Sequence, residues 1–192
     1  MAVAQRMSVE AYEDFVLSGV EGLWELHDGV LVEKPGMSWR HLDIVAELVY
    51  LLRSQLDRTK YRVFAEGRVR RATDTVLLPD VMVLPDSYGA PFVDHVRLAM
   101  FSGPMLLVVE VWPQSTGDYD LNTKLPVYQE RGDREIWRIH PFERTLTRWV
   151  RDMNGTYQVS IHHGGSVRLA AIPDVEVAVE LDWLFAGGSA SE

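Results

Sequence analysis

The chain has 192 residues, 47% of them apolar and 24% charged, the composition of a globule that needs neither disulfide nor structural metal to fold. It contains no cysteine, which excludes disulfides, thiolate metal sites and a cysteine nucleophile, and fits a reducing cytoplasm. With 19 basic and 28 acidic residues the net charge is −9, which argues against a protein that coats nucleic acid through a basic surface.

Residues 1–10 lack the apolar stretch of a secretion signal. The longest apolar run, around Met105 to Val109, is too short to span a bilayer. No linker interrupts the chain, so one domain over 1–192 is expected, with a frayed tail from residue 187.

In chain order, Ser8 to Leu17 predicts a short helix capped by Ser8, with Tyr12, Phe15 and Val16 at helical spacing. Leu23 to Glu33 predicts a hairpin turning at His27-Asp28-Gly29, because Asp-Gly suits a tight turn. Residues 39–56 carry the clearest helical stripe: Leu42, Val45, Val49, Leu52 and Leu56, widened by Ile44, Leu48 and Leu51. Ser38 is its cap, and His41 lies on the inward face.

Three strands are expected next, over Tyr61–Arg71, Val76–Leu84 and Pro104–Trp112. The last is apolar on both faces, as in a sheet covered on each side. Residues 85–103 read as loop with a short helix near Val93–Met100. Tyr119 to Glu130 is amphipathic and ends at Gly132, with Pro126 either kinking it or sitting in its first turn. Strands follow at Glu135–His140, Thr145–Arg151 and Tyr157–His162, and Trp183-Leu184-Phe185 docks a C-terminal segment. This order implies an α/β fold with a mixed sheet.

Two carboxylates interrupt the apolar strands. Asp80 shares a face with Leu78 and Met82, and Glu110 shares one with Leu106, Val108 and Trp112. A buried carboxylate is costly unless it is paired. Mg²⁺ or Mn²⁺ takes such oxygen ligands, and Asp80, Glu110 and the Val111 carbonyl form a candidate set. Such an ion would activate a water and neutralise a phosphate oxygen, with a lysine assisting. On the following helix Asp120, Lys124 and Tyr128 fall at i, i+4 and i+8, so they line one face.

Those residues sit in an ordered series of motifs: Met7-Ser8-Val9-Glu10-Ala11-Tyr12, Trp24-Glu25-Leu26-His27-Asp28-Gly29, Ser38-Trp39-Arg40-His41, Leu78-Pro79-Asp80-Val81, Glu110-Val111-Trp112-Pro113-Gln114-Ser115-Thr116, Tyr119-Asp120, Lys124-Leu125, Tyr128, and Glu135-Ile136-Trp137. The series resembles the Uma2 family within the PD-(D/E)xK restriction-endonuclease-like superfamily. The resemblance implies a restriction-endonuclease-like core, a mixed central sheet flanked by helices, with an N-terminal helix and hairpin. It also implies Asp80 and Glu110 as metal ligands, DNA as substrate, and supporting roles for Glu25 and His41. The superfamily lysine usually stands two residues after the acid; here that position is Trp112, and the family pattern places the lysine on the next helix, at Lys124. The family's usual Ser-Pro is replaced by Pro113-Gln114.

Each residue also has a bland reading. Asp80 could cap backbone amides, Glu110 could pair with an arginine such as Arg138, and Lys124 could be a solvated surface lysine. His41 could be a core or capping histidine, and Glu25 a surface carboxylate. The arginines Arg68, Arg70 and Arg71, and Arg131, Arg134 and Arg138, could form local basic grooves. The leading expectation is a Mg²⁺- or Mn²⁺-dependent DNA endonuclease; its oligomeric state is left open, a homodimer being only an analogy with nucleases that cut both strands. The alternatives are a non-catalytic nucleic-acid- or protein-binding module serving a mobile-element or defence system, and a metal hydrolase acting on something smaller than DNA.

Overall fold

The computed structural model describes residues 6–112 and 123–186. Helix α1 (Val9–Leu17) begins at Ser8, whose hydroxyl accepts the Ala11 N–H at 3.3 Å. Strands β1 (Trp24–His27) and β2 (Val30–Glu33) pair antiparallel. The two residues between them, Asp28 and Gly29, both have positive φ, at 47° and 82°. That conformation is why Asp-Gly is favoured there.

Helix α2 (Trp39–Gln55) starts at Ser38, which accepts the His41 N–H. Its buried stripe is His41, Ile44, Leu48 and Leu52. Leu42 is exposed, so the apolar face is rotated by one residue from the expected centre. Each fully buried leucine or isoleucine on that face contributes about 1.5–3 kcal/mol.

The next two expected strands each break in two. Strands β3 (Tyr61–Ala65) and β4 (Arg68–Arg71) replace the first; β5 (Thr75–Leu77) and β6 (Val81–Pro85) replace the second. They form one long ribbon that passes from one sheet into another. Strands β3 and β6 pair in a six-stranded sheet, β4 and β5 in a five-stranded one. The corner lies at Glu66-Gly67 on one arm and Leu78-Pro79-Asp80 on the other. Glu66 has φ 53°, and a Cβ on Gly67 would stand 2.0 Å from Met82 Cε. Asp80 is therefore a corner residue rather than part of a continuous strand.

No helix forms near Val93–Met100. A 3-10 helix spans Asp86–Phe92, and β7 (Met100–Phe101) joins the five-stranded sheet parallel to β4. Strand β8 (Leu107–Val111) is followed, beyond the residues outside the description, by α3 (Leu125–Arg131). Pro126 sits in the first turn of α3, where no N–H is required, and Gly132 ends it with φ 76°. Strands β9 (Glu135–His140), β10 (Thr145–Arg151) and β11 (Tyr157–His162) complete the larger sheet. A small ladder of β12 (Ser166–Arg168) and β13 (Ala178–Glu180) then leads to α4 (Leu181–Ala186), which buries Leu184 and Phe185.

The six-stranded order is β11-β10-β9-β8-β6-β3, with β8 and β9 parallel and the other neighbours antiparallel. The five-stranded order is β2-β1-β5-β4-β7. One face of the larger sheet packs Val81, Val83, Val109 and Trp137 against α2, α4 and the β12–β13 ladder. The other packs Met82, Leu84, Val108 and Ile136 against α3 and the smaller sheet. Cover on both faces explains why β6 and β8 read as continuous apolar runs. Helix α1 lies on the smaller sheet through Val9 and Tyr12, against Leu26 and Val76.

Candidate active site

The corner before β6 and the end of β8 meet where the two sheets join. The Val111 N–H donates to Asp80 Oδ2 at 2.7 Å, which fixes the carboxylate beside the strand that carries Glu110. The other oxygen, Oδ1, accepts from Lys34 Nζ at 2.9 Å, and His41 Nε2 stands 3.3 Å from it. Asp80 is 3% exposed, so these partners are its solvent.

Helix α3 follows β8 and brings its N-terminal end back over the sheet. Lys124, at the position before the helix, points inward and is 3% exposed. Its ammonium lies 3.3 Å from Glu110 Oε1 and 3.0 Å from Glu25 Oε1. One turn on, the Tyr128 hydroxyl donates to Glu110. Lys124 and Tyr128 thus share the predicted helical face. Asp120, the third residue of that face, lies outside the described residues.

Glu25 enters from β1. It accepts the Leu78 N–H at 2.8 Å and lies 2.9 Å from His27 Nε2. The Leu78 carbonyl, in turn, accepts from Lys34 Nζ at 2.8 Å. The hairpin therefore grips the corner residue Leu78 by its N–H through Glu25 and by its C=O through Lys34. Asp80, Glu110 and Lys124 converge, and Glu25, His41 and Tyr128 join them.

Charge sets the protonation of this cluster. Burial pushes the Asp80 carboxyl up, but the His41 contact, the Lys34 ammonium and the Val111 amide outweigh it and hold it well below the usual range. Burial likewise raises Glu25, and Lys124 with His27 brings it below its ordinary value. Burial draws the Lys34 ammonium down, while Asp80 and Glu110 more than restore it, leaving it above the usual lysine value. Burial and the charges of Glu110 and Glu25 push the Tyr128 hydroxyl far up, so it remains a donor.

Lys34 and His27 were not among the expected site residues. A signal for both exists in strand geometry. Side chains two apart on a strand share a face, so flagging Glu25 implicates His27. In the hairpin Glu25 faces Val32, and the Lys34 N–H donates to the Leu23 carbonyl, extending the ladder by one more step. Lys34, two residues beyond Val32, falls on that same face.

Arginines of both clusters make contacts within the fold. Arg71 pairs with Asp28 and Glu130, Arg70 approaches Glu10, and Arg68 Nε donates to the Tyr12 hydroxyl. Arg131 binds Asp133 and the carbonyls of Phe101 and Gly103. The Arg138 guanidinium stacks on Trp112, with its carbon 4.1 Å from the ring centre. Trp112, the usual position of the superfamily lysine, thus holds a cation of its own.

A solved structure described as a putative nuclease belonging to DUF820, from Anabaena variabilis, matches with a TM-score of 0.73. The alignment covers 94% of this chain and 98% of that one at 15% identity, a likeness that speaks for the fold. No curated protein matches the sequence. The family model for Uma2, described as a putative restriction endonuclease, matches residues 9–181, from the first residue of α1 to the first of α4, so the chain belongs to the Uma2 family.

Proposed function

We propose that this chain is a divalent-metal-dependent endonuclease that hydrolyses DNA phosphodiester bonds at the cluster of Asp80, Glu110 and Lys124. The observation that carries the reading is the inward turn of Lys124 onto Glu110 and Glu25. A surface lysine would have pointed to water. Membership of a nuclease family supplies the reaction class.

The donors suit a hard cation. Asp80 and Glu110 offer carboxylate oxygens, and there is no sulfur ligand in the cluster. The N–H and C=O of an extended residue point to the same edge of its strand. Since the Val111 N–H reaches Asp80, its carbonyl faces that way too. Among the described residues no group of three or more His, Asp or Glu side chains is placed to chelate an ion alone. Waters would complete the shell, as Mg²⁺ and Mn²⁺ accept. When bound, the ion lowers the pKa of a water and offsets charge on the phosphate.

The protein groups do the rest. Lys124 has three N–H donors, with Glu25 and Glu110 among their partners, and would turn one toward the attacking water or a phosphate oxygen. Glu25 and Glu110 fix the ammonium between them. Tyr128 fixes Glu110, and His27 fixes Glu25. His41 and the Val111 amide aim Asp80. The low-exposure setting makes each charge count for more than it would in water.

A second reading has one observation in its favour. Asp80, Glu25 and Glu110 all already have protein donors, as they would in a structural polar cluster of a non-catalytic binding module. Cleavage separates the two. Supercoiled, linear, branched and single-stranded DNA are incubated with Mg²⁺ or Mn²⁺ and wild type, Asp80→Asn or Lys124→Met. Nicking or cutting by wild type that both variants lose supports the nuclease; equal behaviour of all three proteins sinks it.

A further inference from the structure

We propose that Lys34 guards Asp80: its ammonium occupies the side of the carboxylate that a divalent cation needs, and yields it when a substrate phosphate arrives. This rests on the metal-site reading above. Of the two Asp80 oxygens, Oδ2 is fixed by the Val111 amide at 2.7 Å. Oδ1 is the one without a backbone partner, and Lys34 Nζ sits on it at 2.9 Å. The Lys34 side chain is 5% exposed and that of Asp80 is 3% exposed. An ammonium and a dication on one buried oxygen repel strongly, because little solvent screens them. Cation binding at Asp80 therefore requires Lys34 to move.

The two lysines of the site are not equivalent in this respect. Lys124 spans Glu25 and Glu110, so a cation that claims Glu110 leaves Lys124 with Glu25. Lys34 has Asp80 and the neutral Leu78 carbonyl as its partners among the described residues. Displaced from Asp80, it keeps only the more distant charge of Glu110, which the same cation also claims, and an uncompensated buried charge is costly. The anion that the reaction brings is the phosphodiester. Lysine's long flexible stem, anchored here at the end of β2, lets the ammonium swing from a carboxylate to a neighbouring phosphate. Cation and phosphate then bind cooperatively, and by linkage each strengthens the other by the same factor. The enzyme alone holds metal weakly; the enzyme with DNA holds it well.

The test reads metal binding rather than cleavage. Mn²⁺ is titrated into the full chain, and free ion is followed by its electron paramagnetic resonance signal, with and without a short phosphorothioate duplex. The proteins are wild type, Lys34→Met, Lys34→Gln and Asp80→Asn, each checked for folding by circular dichroism; Lys34→Gln retains a donor towards Asp80 should the methionine variant misfold. Binding to the duplex alone is subtracted. Wild type is expected to bind Mn²⁺ weakly by itself and about tenfold more tightly with the duplex. The neutral Lys34 variants are expected to bind it about tenfold more tightly than wild type without DNA, and to gain little from the duplex. If Asp80→Asn abolishes Mn²⁺ binding while neither Lys34 variant tightens it, the guard is wrong and the metal site stands. If no variant shows binding that depends on Asp80, the metal-site reading fails and takes the guard with it.

Discussion

Asp80 and Glu25, at one end of the central sheet, and Asp133 and Glu135, at the other, are all buried carboxylates, yet they hold their protons in opposite ways. The first pair is held below its ordinary pKa values, the second above. Burial raises all of them; what differs is the company. Asp80 and Glu25 face lysine ammoniums and histidine rings. Asp133 accepts the Met105 N–H and pairs with Arg131, while Glu135 accepts the N–H groups of Ala170, Ala171 and the Trp137 indole, with Arg148 at 2.9 Å. There burial still prevails. A backbone amide holds one oxygen of each carboxylate in both pairs. What differs is the cation: forked guanidiniums hold the structural carboxylates in a rigid frame, and lysines, which can exchange partners, hold those of the site. One arrangement closes a fold, and the other leaves charge available for chemistry.

The sharpest way to break that comparison is to neutralise one member of each pair. Asp80→Asn is expected to lower DNA cleavage on the order of 10²–10³-fold, since it removes charge and leaves shape. Glu135→Gln is expected to cost about 3 kcal/mol of stability in urea titration, because it leaves Arg148 without its counter-ion and turns an amide toward the Ala170 and Ala171 N–H groups. Its activity per folded molecule should match wild type. If Glu135→Gln loses cleavage as Asp80→Asn does, the two groups are not distinct in role.

The same division shows what the sequence made legible. Helix caps, the Asp-Gly turn and the strands from Glu135 onward follow from local rules and stand where expected. Asp80 and Glu110 stand out because charge inside an apolar run is conspicuous, whereas Lys124 is singled out by its helical spacing with Asp120 and Tyr128 and by the resemblance. The break of Tyr61–Arg71 and Val76–Leu84 into two sheets was not readable, because a corner needs only one residue with positive φ, and Glu66 carries no composition signal. Lys34 escaped for a related reason. A lysine at the end of a hairpin looks like a solvated one until the corner it grips is known. Leu42 shows the limit of periodicity: a stripe fixes a face only to within a residue.

Acid titration offers a smaller effect with a definite sign. Glu25 is ionised more readily in the fold than its ordinary value of 4.5 allows, so its contribution is complete above that pH and fades as pH falls through the depressed folded value. Glu135 is the reverse. Its folded value is raised, so its contribution is complete below 4.5 and fades as pH rises through the folded value. In EDTA, the stability deficit of Glu25→Gln relative to wild type should therefore grow between pH 3 and pH 6, and that of Glu135→Gln should shrink. Parallel curves for the two variants would contradict the opposed settings.

The smallest effect lies beside the structural pair and probes its frame alone. The Tyr157 hydroxyl donates to the Asp133 carbonyl at 2.6 Å. Burial, with the charge of Asp133, pushes it up to about 12. Tyr157→Phe should cost about 1 kcal/mol at neutral pH, the worth of one hydrogen bond. The unfolded chain loses its tyrosine proton near the ordinary value of 10.0, before the folded protein does. Wild-type stability should therefore fall between pH 10 and pH 12 by more than that of the phenylalanine variant, and the gap between them should narrow. A gap that widens in alkali would mean that Tyr157 ionises more easily in the fold than out of it. Burial and the charge of Asp133 would then not govern Tyr157, and the contrast between the two carboxylate pairs would rest on the lysines alone.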